Sequence, residues 1–128
     1  MNKQSYLEMF IEDCKYYDLE QGEVKAILKH VDLKGKTVLD AGAGIGRLAF
    51  PLARYAKEVV AVDQDRRLLP YWKLHGKKNV TFINTRVEQY LKNKKKFDVS
   101  LFAWPTLNFR IFSSLKRAMH EESFFILF

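Results

Sequence analysis

The chain has 128 residues, of which 48 % are hydrophobic and 29 % charged, with a formal net charge of +7. That length suits one domain with one core, burying roughly two-thirds of the unfolded surface. The hydrophobic share excludes global disorder, and no apolar run approaches the length of a membrane span. Cys14 is the single cysteine, so no internal disulfide is expected and a reducing cytoplasm is the expected location. His30, His75 and His120 lack metal-ligand spacing with one another and with Cys14, so no metal is expected.

In chain order, Tyr6, Leu7, Phe10 and Ile11 recur at helical spacing and predict a helix near 4–16. A second helix is expected over about 20–30, with Val24, Ile27, Leu28 and Val31 on its inner face. Residues 1–33 thus form an N-terminal helical part, and Lys34-Gly35-Lys36 turns into a core over 34–128. The core alternates: strand 37–41, helix 46–56, strand 59–63, helix 66–75, strand 80–84, helix 86–92, strand 97–103, helix 109–119, strand 123–128. Strands alternating with helices over short loops imply a parallel α/β sheet with right-handed crossovers. Pro51 and Pro70 fall inside predicted helices. Each lacks a backbone donor, so a kink or a later helix start is expected, with Asp65 capping the helix that carries Pro70.

The most specific segment is Val38-Leu39-Asp40-Ala41-Gly42-Ala43-Gly44-Ile45-Gly46-Arg47-Leu48-Ala49. An apolar run reaches a carboxylate, breaks into alternating glycines and resumes as helix. Glycine permits positive φ and, lacking Cβ, lets backbone N–H groups approach a ligand closely. The start of the following helix favours an anionic group. Val59-Val60-Ala61-Val62 leads to a second acid, Asp63, placed to accept hydrogen bonds from ribose hydroxyls. Two such acids flanking a glycine turn suit a ligand with a ribose and an amino-acid-like tail. The dinucleotide fingerprint G-x-G-x-x-G asks for a third small residue where this chain has Arg47, so a nicotinamide or flavin cofactor is the lesser reading.

Asp40-Ala41-Gly42-Ala43-Gly44-Ile45-Gly46 resembles motif I of the class I S-adenosylmethionine-dependent methyltransferases, and Val60-Ala61-Val62-Asp63 resembles their following acidic strand. The similarity runs from about residue 19 onward, and only these two segments are specific. It implies a Rossmann-like doubly wound sheet of five strands in order 3-2-1-4-5, with ligands bound where the chain reverses direction. It also implies S-adenosyl-L-methionine as cofactor. On that reading the turn Gly42, Ala43, Gly44 and Gly46 carries the methionine end, Asp40 reaches the amino group and Asp63 the ribose. Gln64, Val87 and Glu88 lie near the adenine. Relatives commonly place an Asp after the third strand to accept the adenine amino hydrogen. Here Arg86 stands at that position and cannot accept, so Glu88 or a main-chain carbonyl is expected to serve.

The expected activity is methyl transfer to an unidentified acceptor (a small molecule, a protein or RNA), with a non-catalytic cofactor-binding or assembly module as the alternative. Full-length relatives usually add two strands beyond Ser123-Phe124-Phe125-Ile126-Leu127-Phe128. An uncovered edge strand invites pairing, so the expected state is a homodimer or a partner over that edge, against a truncated product. No catalytic residue is legible. Trp104, before Pro105, reads equally as a pocket wall or as packed core; Tyr16, Tyr17 and His120 read first as packing or helix-end residues. The lysine run at 92–96 reads first as solvated loop, although the net charge permits an anionic partner.

Overall fold

The structure is a computed structural model and describes residues 8–9, 12, 21–93, 95–102 and 117–127, the last eight through their backbone alone. Its elements are α1 (Gly22–His30), β1 (Thr37–Ala41), α2 (Ala49–Leu52), β2 (Glu58–Asp63), a 3-10 turn (Arg66–Leu68), α3 (Leu69–His75), β3 (Val80–Asn84), α4 (Val87–Tyr90), β4 (Phe97–Phe102) and β5 (Met119–Leu127). The first four strands form a parallel sheet in the order β3-β2-β1-β4. The backbone of β5 runs parallel to β4 at the edge, with an irregular register: Phe97 faces Met119, whereas Val99 faces Phe124.

Burial follows from this order. β1, β2 and β4 lie inside the sheet and are buried almost throughout, as continuous apolar runs in parallel sheets require. β3, with one neighbour, is half-exposed. Alternate residues then divide between two layers. Val38, Val59, Ala61 and Leu101 join Ile27, Leu52 and Trp72 in one core. Leu39, Val60, Val62 and Phe102 join Val87 and Leu91 in the other.

The helices are shorter than the pattern predicts. The 46–56 segment is helical only over Ala49–Leu52, because residues 44–48 remain in the glycine turn. Pro51, whose missing donor matters least in a first turn, sits within that short helix. The 66–75 segment opens as a 3-10 turn, and Asp65 accepts the Arg67 N–H there rather than capping the helix itself. Pro70 occupies the first turn of α3. α4 covers one turn of the predicted 86–92. The last strand begins at Met119, not at 123, so His120 belongs to a strand rather than following a helix. The predicted helix 4–16 lies outside the described residues apart from residues 8, 9 and 12, which are helical. The predicted helix 109–119 lies outside them up to residue 116, with 117 helical.

Candidate functional site

β1 ends at Ala41, and the next five residues turn through three glycines with positive φ: Gly42 at 80°, Gly44 at 56° and Gly46 at 84°. The start of the turn is tied to β2, since the Gly42 and Ala43 N–H groups both donate to the Val62 carbonyl, at 2.8 and 3.0 Å. The Gly46 N–H closes it on the Ala43 carbonyl at 2.9 Å, and Phe50 N–H donates to Gly46 at 3.0 Å. Gly46 is required for shape as well as for φ. A Cβ there would stand 2.5 Å from the Phe50 ring and 3.0 Å from Trp72.

Below the turn lies an aromatic layer. Trp72, from α3, donates its indole N–H to the Gly44 carbonyl at 2.7 Å. It stacks on Phe82 of β3 with centroids 4.6 Å apart, and packs against Phe50 at 4.8 Å. Three separate elements therefore hold the carbonyl of the central glycine in place. Sequence reading passed over Trp72 because its role depends on α3 folding back beneath the turn. Its full burial, alone among the residues of that helix, is the structural sign of it.

The two acids occupy different depths. Asp40 pairs with Ala61 in the β1/β2 register, two positions short of Asp63. Its side chain is 1 % exposed, and neither oxygen has a hydrogen-bond partner. Burial pushes its pKa up from 3.8 to about 7. The Arg47 charge opposes that shift, the Asp63 charge adds to it, and the Ala49 N–H lowers it slightly without completing a hydrogen bond. Arg47 also forms an ion pair with Glu23 of α1 at 2.6 Å, linking the N-terminal helix to the turn.

Asp63 sits at the rim, partly exposed. One oxygen accepts the Gly44 N–H at 2.8 Å and the other the Asp65 N–H at 2.9 Å. Its main-chain carbonyl accepts from the Asn84 side chain at 3.0 Å and from Thr85 N–H at 3.1 Å. Each carboxylate oxygen keeps further acceptor capacity. Asn84, directly opposite Asp63 in the β2/β3 register, is a second residue the sequence reading missed.

The remaining predicted site residues spread along the same rim. Gln64 follows Asp63 and is exposed. Arg86 precedes α4 without a side-chain cap and projects outward, its side chain 72 % exposed. Glu88 is half-exposed, 3.9 Å from Arg86. Val87 buries its side chain in the second core, so only its main chain is available to a ligand. Trp104, Tyr16 and Tyr17 lie outside the described residues. The side chain of His120 does as well.

A parallel sheet carrying a glycine turn between two acids at the carboxyl ends of adjacent strands defines the class I S-adenosylmethionine-dependent methyltransferase fold. The chain belongs to the methyltransferase-domain family, whose profile matches residues 38–122. It is 41 % identical over 71 residues to a ubiquinone biosynthesis O-methyltransferase of Pelagibacter ubique, covering 54 % of this chain and 30 % of that protein. Among solved structures it resembles coclaurine N-methyltransferase bound to N-methylheliamine and SAH, with a TM-score of 0.73 and 18 % identity over 84 % of this chain and 35 % of that one. An S-adenosylmethionine-dependent methyltransferase from Mesorhizobium loti matches with a TM-score of 0.71 and 17 % identity over 82 % of this chain and 50 % of that one. The chain spans about a third or less of the curated relatives it matches. Among the described residues, no helix is long and apolar enough to cross a membrane.

Proposed function

We propose that this chain binds S-adenosyl-L-methionine across the carboxyl ends of β1 and β2 and transfers its methyl group to an acceptor. The observation that carries the reading is the Asp40 carboxylate, buried beside a positive-φ glycine turn with no partner on either oxygen. A buried acid left unpaired is costly, and a cationic amino group at the turn would relieve it. Asp63 fits the ribose: it stands at the rim, held from behind by two N–H groups, with lone pairs left for two hydroxyls. The bound cofactor would supply an activated methyl group on a cationic sulfur. Displacement at such a group is governed by alignment and exclusion of water. The chain's part is therefore to fix the turn through Trp72, Phe50 and Val62, and to hold the two acids at set depths.

The rest of the reading follows the same frame. Gln64, Glu88 and the Val87 main chain border the adenine. The whole chain forms one domain, completed by the five-strand order 3-2-1-4-5 with two N-terminal helices. β5 pairs on one side with β4, and we assign its other edge to a second copy or to a partner. A non-catalytic cofactor-binding module is the second reading. It is favoured by Arg86, which stands outward where relatives commonly carry an acceptor.

Calorimetry with S-adenosylhomocysteine and NAD tests the proposal. Binding of the first and not of the second is expected, and the reverse would overturn it. Transfer of a labelled methyl group to any member of a small-molecule, protein and RNA acceptor panel separates the enzyme from the non-catalytic module. One chain mass by light scattering would overturn the dimer.

A further inference from the structure

Among the described residues, charge is not spread evenly between the two ends of the sheet. At the described carboxyl ends of the strands, Arg47, Arg66, Arg67 and Arg86 stand with Asp63, Asp65 and Glu88, and with the buried Asp40. The amino ends are different. Lys34 and Lys36 precede β1, Arg54 and Lys57 precede β2, and Lys77 and Lys78 precede β3. Lys92, Lys95 and Lys96 precede β4, and Arg117 precedes β5. All are exposed except Lys36, which is half-exposed. Among residues with described side chains only Asp32, Glu58 and Asp98 accompany them. Glu121 and Glu122 follow in the first part of β5, between Met119, opposite Phe97, and Phe124, opposite Val99. Asp98 is turned inward, accepting from the Thr37 N–H and hydroxyl at 2.8 and 3.1 Å.

These loops form one continuous surface. Lys57 N–H donates to the Lys36 carbonyl at 2.9 Å, and Val59 N–H to the Asn79 carbonyl at 2.9 Å. The Asn79 amide reaches the Ala53 and Ala56 carbonyls at 2.7 and 3.3 Å. Lys95 reaches Glu58 at 2.9 Å, and Phe97 N–H donates to Ala118 at 2.8 Å. Five strand ends at ~4.8 Å spacing make a strip on the order of 20 Å long. Helix C-termini converge at this end of a parallel sheet and attract cations within their last turns. That accounts for residues such as Arg54 and Lys92. It does not account for Lys36, Lys57, Lys78 and Lys96, which lie at strand starts; Lys95 beside them pairs with Glu58. Tyr55, 53 % exposed, stands between Arg54 and Lys57 and offers a ring face.

We infer that this amino-end strip docks the phosphate backbone of a single nucleic-acid strand, with Tyr55 stacking on a base. A line of cations beside an exposed aromatic is the arrangement such binding needs. Membrane-surface attachment instead buries a stripe of apolar side chains. Near this end the described residues expose only Leu74 and Tyr55 among large hydrophobics. The strip lies a full strand length from the glycine turn, so it is an anchoring surface separate from the cofactor crevice.

The test is anisotropy of a labelled single-stranded oligouridylate on the full chain, without cofactor, across a salt series. Binding near micromolar at low salt is expected, weakening with salt by about 0.7 log units per log unit for each phosphate contacted. Lys36→Glu, Lys57→Glu and Lys78→Glu together should weaken binding by more than tenfold and reduce the slope by about 2. Tyr55→Ala should weaken it by about tenfold. Arg66→Glu with Arg67→Glu, at the opposite end, should change it less than twofold. Circular dichroism of each variant verifies folding. The inference is overturned if the triple variant binds as tightly as the parent, or if the opposite-end variant loses as much. It is equally overturned if anionic phosphatidylserine vesicles or polyglutamate bind as tightly with the same sensitivity to the triple variant. None of these readouts depends on S-adenosylmethionine binding.

Discussion

Asp40 and Asp63 lie at the ends of adjacent strands and look alike in the sequence, yet their surroundings differ. Asp40 is opposite Ala61, about 6–7 Å short of the rim at the usual strand rise. Its side chain has no hydrogen-bond partner, and burial raises its pKa to about 7. Asp63, two positions further out, is partly exposed and holds two backbone N–H groups. Register, not residue type, separates them. The inner acid is buried without a hydrogen-bond partner, and the outer one is braced by the turn it shapes.

Several substitutions would break or sharpen this contrast. The largest effect is expected from Gly46→Ala, because the turn that separates the two acids needs both positive φ and an absent Cβ. A loss of about 3–4 kcal/mol in stability is expected by thermal unfolding, from left-handed strain plus overpacking. Adding Phe50→Ala should recover the packing part and leave the backbone part.

Next comes the inner acid. Its folded pKa lies above its unfolded value, so the folded state binds more protons between about pH 4 and 7. The parent chain is therefore expected to lose stability as pH rises through that window and to level off above it. The upper bound is about 4 kcal/mol at 1.36 kcal/mol per unit. Asp40→Asn should flatten the profile and stabilise the chain at pH 8, as measured by urea unfolding across pH. A bound cationic amino group should reverse the shift. S-adenosylhomocysteine binding at pH 6.5 is thus expected to release protons, seen as a dependence of calorimetric heat on buffer ionisation that Asp40→Asn abolishes.

A smaller loss is expected at the outer acid. Asp63→Ala should cost roughly 1.5–3 kcal/mol in S-adenosylhomocysteine affinity, the range for charge-assisted hydrogen bonds. An unchanged affinity would remove Asp63 from the ribose assignment. The smallest effect belongs to Trp72→Phe, which keeps the ring but removes the hydrogen bond to Gly44. About 1 kcal/mol of stability should be lost, and the affinity loss should follow the mobility of the turn.

Alternation of buried apolar runs with helical spacing was enough to place β1 to β4, since such runs are stable only inside a parallel sheet. The glycine turn and both acids were legible for a similar reason: few residues tolerate positive φ, and a strand-end carboxylate is conspicuous. The helices were less legible. The turn holds residues 44–48 out of helix, and the chain enters α3 through a 3-10 turn. Periodicity carries no information about where a loop releases the backbone.

By itself, the order of residues determined the α/β class, the place of the turn and the identity of its flanking acids, because these depend on local conformational freedom and on burial pattern. Tertiary structure alone decided that one acid is buried and unpaired while the other is braced. It also decided that Trp72 reaches under the turn and that Glu23 of α1 pairs with Arg47. Those features depend on strand register and on contacts such as Gly44 with Asp63, 19 positions apart, and Gly44 with Trp72, 28 apart, which no local pattern encodes.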